Sequence, residues 1–463
     1  MTTRRLADSP LPLAQLQNQA MNASRKLASV IYKIEQVMAD LVIIAASMFL
    51  LGWTVWEFVS FFAQPTHVFT DNLKVNPIQG IDYMKQLSLA WLTRVDPKHV
   101  YDLEIQRQWI CAHIAPNYYV DVAHCNPSYY TPPFCVLVIP LTFLPFEKGY
   151  LIWSFLQVIA AVVMVNKVIK VKDKPLDWLY FWIVVLASPG SRQSICLGQT
   201  GFLLAALLTG IYLAWRKDKQ ILAGVLLAFF ALSKPHHCLI PGVMFIAKRQ
   251  WKAFASLIVT SIILYLGAAC VMGFDTVLNY PAFLAAVERD TYEGKFFAPR
   301  DICVNLRCIL GYIFAPKPLQ IFGIATTLMT AVASYAVWRK ALLSDGKYDG
   351  HALFISLALS FVFGLHANFY DLAILSVPFA MSVSAVGVYS SFRLTDIFER
   401  IWSLSFLVFW FGSQLMAIYI PFKAAQNWHC AFLLPFCLIS WIIFSRNCNK
   451  AIACTNTLEP TQA

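Results

Sequence analysis

Long apolar runs alternate with short basic ones along most of this chain. The apolar runs cover 37–62, 149–165, 176–188, 197–215, 221–232, 238–247, 253–272, 319–337, 352–365, 372–388, 402–420 and 432–444. Crossing a bilayer takes about 20 apolar residues in a helix, and several runs approach that length. Basic clusters at 167–174, 216–219, 248–252, 339–347, 393–400 and 446–450 punctuate them. An excess of Lys and Arg marks cytoplasmic loops. The pattern predicts an all-α polytopic membrane protein with about twelve transmembrane helices and both termini inside. Residues 1–36 read as a basic cytoplasmic segment, 37–445 as one transmembrane domain and 446–463 as a cytoplasmic tail.

Two stretches break the rhythm. Residues 134–146 are apolar but short, and Pro140 and Pro145 interrupt them. A run of that length suits a re-entrant half-helix better than a span, here placed on the outer side. Residues 221–247 form two short apolar pieces broken at Pro235. Both flanks are basic and therefore cytoplasmic, so the turn points outward. It carries "SKPHHC", with Lys234, His236 and His237. A lysine at the centre of a membrane helix costs about 2.5–3.5 kcal/mol, so a lysine at this turn asks for a task. The longer polar stretches, 63–131, 273–317 and 365–371, then fall outside as well. The first of them is a large extracytoplasmic loop expected to carry amphipathic helices.

Composition agrees with a membrane protein: 59% of residues are hydrophobic and 13% charged, against about 25% charged in soluble domains. The net charge of +11 is spread over the clusters between spans. That is the product of the positive-inside rule, not a nucleic-acid surface. The basic N-terminus lacks the apolar core of a signal peptide, so the first apolar run is expected to remain as a helix. The cysteines show no metal-type spacing. Cys111 and Cys125 share the first outer loop, and a disulfide between them is open if that loop is extracytoplasmic.

The polar residues expected at the outer face are a mixed set. "GIDYMKQLSLAWL", 80–92, places Ile81, Met84, Leu87 and Trp91 at helical spacing. It reads as an amphipathic helix on the membrane surface, with Asp82 near its start. A helix-start acid is favoured by the dipole alone. "VYDLEIQRQW" adds Asp102, Glu104 and Arg107, which fit a solvated face. "NPSYYTPPF" carries Tyr130 at the head of the half-helix, and "CLGQTGFLLAALL" carries Gln199. Residues 290–309 offer Arg300, Asp301, Asn305 and Arg307. "LHANFYDLAIL" offers His366, Asn368, Tyr370 and Asp371. No Gly-rich phosphate loop or metal-ligand motif is present, so neither a cofactor nor a metal is expected.

The order of these pieces resembles the GT-C superfamily of integral-membrane glycosyltransferases. More closely, it is similar to glycosyltransferase family 87, the polyprenyl-phosphate mannosyltransferases and related arabinofuranosyltransferases. The likeness rests on "GIDYMKQLSLAWL…VYD", "YTPPFCVLVIPLTFLPF", "LGQTGFLLAALLTGIYLAWRKDKQILAGVLLAFFALSKP" and "LHANFYDLAIL", and it covers roughly residues 40–390. It implies an inverting, metal-independent transferase that takes a sugar, mannose first among candidates, from a polyprenyl phosphate. It implies that Asp82 is the catalytic base. One departure is visible: the family's outer-loop Asn-Gln-Ser pattern stands here as Asn305-Leu306-Arg307.

The chemistry fits these residues. Transfer needs a base for the acceptor hydroxyl and fixed positive charge for the departing phosphate. Lys234, His236, His237, His366 and Arg300 are the candidates for the phosphate. Tyr130, Gln199, Asn305 and Tyr370 are the candidates for the other substrate contacts. The expected partners are the lipid-linked sugar donor, a lipid or glycan acceptor and the bilayer. The setting is a bacterial plasma membrane with the site outside, or the lumen of the endoplasmic reticulum in a eukaryote. Two other readings stay open at this point. A secondary transporter also uses broken helices and buried polar groups, and an inactive scaffold would keep the spans without the activity.

Overall fold

A computed structural model of the chain describes residues 80–113, 130–168, 189–292, 305–310, 316–342, 349–364 and 367–377. It also describes Ser128, Phe314 and scattered positions within 21–59, 182–186 and 438–445. Every element among the described residues is helical. In chain order they are α1 (Ile81–Val95), α2 (Leu103–His113), α3 (Pro132–Val138), α4 (Phe146–Val165), α5 (Pro189–Leu197), α6 (Gly201–Arg216) and α7 (Gln220–Ser233). Then come α8 (Leu239–Ala247), α9 (Trp251–Met272), α10 (Phe274–Tyr292), α11 (Leu306–Leu310), α12 (Pro316–Ala341) and α13 (Asp349–Phe363). Short 3-10 helices follow α3 (Ile139–Phe143), join α7 to α8 (Pro235–Cys238) and follow α13 (Phe369–Leu375).

Among the described residues, three helices are long and apolar enough to cross a membrane: α4, α9 and Ile321–Ala341 of α12. Their outward faces are apolar. α9 exposes Ile258, Ile262, Ile263 and Leu266, α12 exposes Ile324, Leu328 and Val332, and α4 exposes Phe155, Leu156 and Ile159. A soluble protein rarely leaves such contiguous patches uncovered, whereas lipid tails cover them at no cost. Residues 402–420 and much of 37–62, 176–188, 372–388 and 432–444 lie outside the described residues.

The two interruptions are breaks in the helices. The apolar stretch after Tyr130 makes only the seven residues of α3 before it tightens into a 3-10 turn at Pro140. At the other break, α7 stops at Ser233 and Pro235 opens the 3-10 turn that leads into α8. Proline lacks the N–H that would continue the helix. Packing then fixes the pair. Leu204, Ala205, Leu208 and Ile211 of α6 share one core with Leu227 and Phe230 of α7, Met244 and Phe245 of α8, and Leu357 and Phe361 of α13.

α7 also lies close along α9. A Cβ added at Gly224 would sit 2.2 Å from the carbonyl oxygen of Ala253. Gly224→Ala is therefore expected to lower stability by about 1–3 kcal/mol, the usual cost of overpacking. Thermal unfolding of the purified variant checks this. An unchanged midpoint would mean that the two helices can separate freely.

At the far end of the α7–α8 pair the flanking basic clusters meet. Asp349 accepts from Lys248 Nζ at 3.2 Å and from Arg216 at 3.5 Å. The Lys248 ammonium stands 3.9 Å from the centre of the Trp215 ring, and Arg339 donates to the carbonyl of Ala247 at 3.3 Å. The ends of α6, α8, α12 and α13 are thus tied together. Arg216 and Lys248 share one end of the bundle, as the hairpin reading requires.

The helix that carries Asp82 differs from expectation. α1 does not lie on a surface. Tyr83, Met84, Leu87, Leu89, Ala90 and Leu92 are buried together with Asp82, Gln86, Ser88 and Thr93. Its two sides pack into different clusters, one with Trp109 and Tyr150 and the other with Cys135 and Ala268. The apolar periodicity does mark a helix, but its cover is protein rather than lipid.

Candidate active site

α1 is held at its head by α5. The N–H of Gly80 donates to the Cys196 carbonyl at 2.7 Å, and Tyr150 donates to the same carbonyl at 2.8 Å. Just beyond, Gly198 takes a left-handed conformation with φ of +72°. A Cβ at this position would lie 2.6 Å from the Cβ of Tyr83, so only glycine lets the two segments close on one another. The Gly198 carbonyl then accepts from Gln86 Nε2 at 3.1 Å and from Trp153 Nε1 at 2.9 Å. The "CLGQT" segment is the socket in which the helix carrying Asp82 sits.

Asp82 is 6% exposed. One oxygen, Oδ1, accepts from Lys85 at 3.0 Å. The other, Oδ2, makes no hydrogen bond among the described residues. Lys85 therefore orients the carboxylate while leaving an oxygen for another partner. One turn along the same face, Gln86 donates to the Tyr130 hydroxyl at 3.2 Å, and that hydroxyl lies 3.3 Å from Gln199 Oε1. Tyr130 and Gln199, separate candidates in the sequence, are neighbours in space.

The next residue joins this corner to the hairpin. Thr131 Oγ1 donates to the carbonyl of Leu232, two positions before Lys234. At the hairpin turn the Lys234 ammonium pairs with Asp371 Oδ1. His237 Nε2 lies 3.4 Å from Asp371 Oδ2, and the rings of His236 and His237 are 4.2 Å apart. Asp371 also accepts from the Asn368 N–H at 3.0 Å, in a reciprocal cap of the 3-10 helix Phe369–Leu375. That helix packs on α5, the same helix that holds the head of α1. Burial alone would raise the Asp371 carboxyl, but the Lys234 ammonium and the His237 imidazole outweigh it and hold the carboxyl below its ordinary range. Burial pushes the His237 imidazole down, against the pull of Asp371.

Of the other candidates, Asn305 is fully buried at the start of α11, next to the buried Arg307. Tyr370 precedes Asp371 in its 3-10 helix, and its side chain lies outside the described residues, as do Arg300 and His366. Cys125 lies outside them as well. Sequence reasoning noticed Asp371 but gave it no role, and it passed over Gln86. The signal for Asp371 was available: a lysine at the tip of an apolar hairpin needs a counter-charge, and Asp371 stands at a neighbouring mouth.

Comparison with protein families bears on this arrangement. The profile of glycosyltransferase family 87 matches residues 129–365, just over half of the chain. The chain belongs to glycosyltransferase family 87. No curated protein matches it. Membership makes it a glycosyltransferase, and the apolar helices give it membrane character. The family match begins just before Tyr130 and takes in Gln199, Lys234, His236, His237, Arg300 and Asn305. It is narrower than the likeness read from the sequence, for it stops one residue before His366 and leaves out Tyr370 and Asp82. Packing supplies what the match omits, since α1 docks its Asp82 end onto the family-87 segment at Cys196–Gly198.

Proposed function

We propose that this family-87 enzyme transfers a sugar, mannose in the reading the family likeness favours, from a polyprenyl phosphate to an acceptor hydroxyl on the extracytoplasmic face. The observation that carries the reading is the corner at Tyr130–Thr131. One of its residues touches the helix of Asp82 and the other touches the hairpin of Lys234. A carboxylate and a buried cation are thereby held on adjoining elements. Asp82 takes the proton of the acceptor hydroxyl as its oxygen bonds to the anomeric carbon. The bond from that carbon to the phosphate oxygen breaks, and the polyprenyl phosphate leaves with the electron pair. Attack from the face opposite the leaving group inverts the anomeric centre, and no metal takes part. Lys234 stabilises the leaving phosphate together with His236, His237, His366 and Arg300. Tyr130, Gln199, Asn305 and Tyr370 contact the rest of the substrates. The transporter reading loses its support, because a transporter has no use for family-87 membership.

A transfer assay with purified protein and radiolabelled polyprenyl-phosphate sugars tests the proposal. Labelled product with one donor of the panel is the expected result. Failure with every donor and acceptor would favour the inactive scaffold.

The sidedness has its own test. In a background without reactive native cysteines, Lys98→Cys is expected to react with an impermeant thiol reagent added from outside, and Asp218→Cys is not. Both positions are exposed. Outside labelling of position 218 would place the Lys234 turn on the opposite face.

A further inference from the structure

Gln86, Tyr130 and Gln199 form a chain of hydrogen bonds whose direction can be read from its anchors. The Gly198 carbonyl can only accept, so the Gln86 group facing it at 3.1 Å is the amide nitrogen. The second hydrogen of that nitrogen goes to the Tyr130 oxygen at 3.2 Å. The Tyr130 hydroxyl in turn donates to Gln199 Oε1 at 3.3 Å. Both amides are thereby fixed, and each presents its other end elsewhere. Gln86 Oε1 is buried and has no hydrogen-bond partner among the described residues. Gln199 Nε2 likewise makes no hydrogen bond among them.

Gln86 is 1% exposed and Gln199 is 4% exposed. Two primary amides at such depth are costly unless every polar atom is met. Here the interior of the chain is satisfied, and the buried Gln86 Oε1 at one end is not. One end offers an acceptor and the other offers donors. A hydroxyl group is both donor and acceptor, and a sugar carries several of them. The chain itself is uncharged, so it does not suit a phosphate, for which the cation lies on the α7–α8 hairpin. Gln86 also stands four residues after Asp82, one turn along the same face of α1.

We infer that the Gln86–Tyr130–Gln199 chain reads hydroxyl groups of the transferred sugar, with Gln86 Oε1 accepting from one and Gln199 Nε2 donating to another. The inference rests on the polyprenyl-phosphate reading above. It gives Gln86 a binding role and makes Tyr130 the residue that orients the Gln199 amide, Gln86 being oriented by the Gly198 carbonyl. Tyr130→Phe removes the linking hydroxyl and keeps the ring, which stacks on Phe134 at 4.6 Å. The Gln199 amide is then free to turn over, while Gln86 stays held by the Gly198 carbonyl.

The test compares lipids that differ only in the sugar. Binding of polyprenyl phosphate, of its glycosylated form and of a set of monodeoxy-sugar analogues is measured on purified parent protein and on Tyr130→Phe and Gln86→Leu. The glycosylated lipid is expected to bind each variant about tenfold more weakly, the scale of a buried polar group left unmet. Bare polyprenyl phosphate should bind all three proteins alike. At least one deoxy analogue should bind the parent poorly and lose nothing further in Tyr130→Phe, because the partner of the missing hydroxyl is already gone. Equal loss for bare and glycosylated lipid would make the chain a packing element and overturn the inference, as would no loss for either. A parent protein that binds neither lipid would overturn the donor reading itself, and the sugar assignment with it.

Discussion

Asp82→Asn is expected to lower turnover by about 10²–10⁴, the range for loss of a general base, while leaving the fold and donor binding in place. Asn keeps the shape of the side chain and can still accept from Lys85. What it loses is the capacity to take a proton. α1 should stay seated, because its anchors are the Gly80 and Gln86 bonds to the Cys196–Gly198 segment and the apolar packing of Tyr83, Met84 and Leu87. The comparison is Glu104→Gln on α2, an exposed residue whose loss should change little. Single-turnover transfer with saturating donor separates the two. Turnover near that of the parent in Asp82→Asn would remove this carboxylate from the mechanism.

The second large effect belongs to Lys234, and the ion pair with Asp371 decides how it must be measured. Lys234→Met alone strands a carboxylate that is 1% exposed. Breaking a buried pair from one side costs about 3–5 kcal/mol, so weak binding in that variant could reflect a damaged fold. Lys234→Met combined with Asp371→Asn removes both charges and keeps an acceptor for the Asn368 N–H. The double variant is expected to recover most of the lost stability. It should still bind polyprenyl phosphate about 10- to 150-fold more weakly than the parent, the worth of a charge-assisted contact. Thermal unfolding and lipid-phosphate affinity on the same samples make the distinction. Parental affinity in the double variant would confine Lys234 to holding Asp371 and shift the phosphate site toward Arg300 and Arg307.

The chain discloses its local breaks more readily than its contacts. Pro235 and Pro140 stop their helices because of what proline lacks, and no partner is needed to know it. A hairpin with both flanks at one end followed from basic residues on either side, and the structure joins those flanks on Asp349. The surroundings of α1 were not legible. A row of apolar residues looks the same whether it faces lipid or the interior of a protein, and Tyr83, Leu89 and Ala90 turned out to be covered by other helices. Long-range pairings were the other blind spot. Lys234 and Asp371 are 137 positions apart, and nothing local to either names the other. The link from Gln86 to Gly198 spans 112 positions and depends on a left-handed glycine that sequence periodicity does not register.

That glycine also bears on how lost activity should be read. Gly198 offers no group for proton transfer or charge stabilisation, yet any side chain there would press on Tyr83 and tilt the helix that aims Asp82. In a saturation screen scored by product formed, position 198 would rank beside Asp82, the base proposed above. Residues ranked by damage alone would thus gather the socket and the tool it holds into one set. A probe that reports the seating of α1, such as protection of its amides from exchange, would sort them again: disturbed at 198, undisturbed at 82.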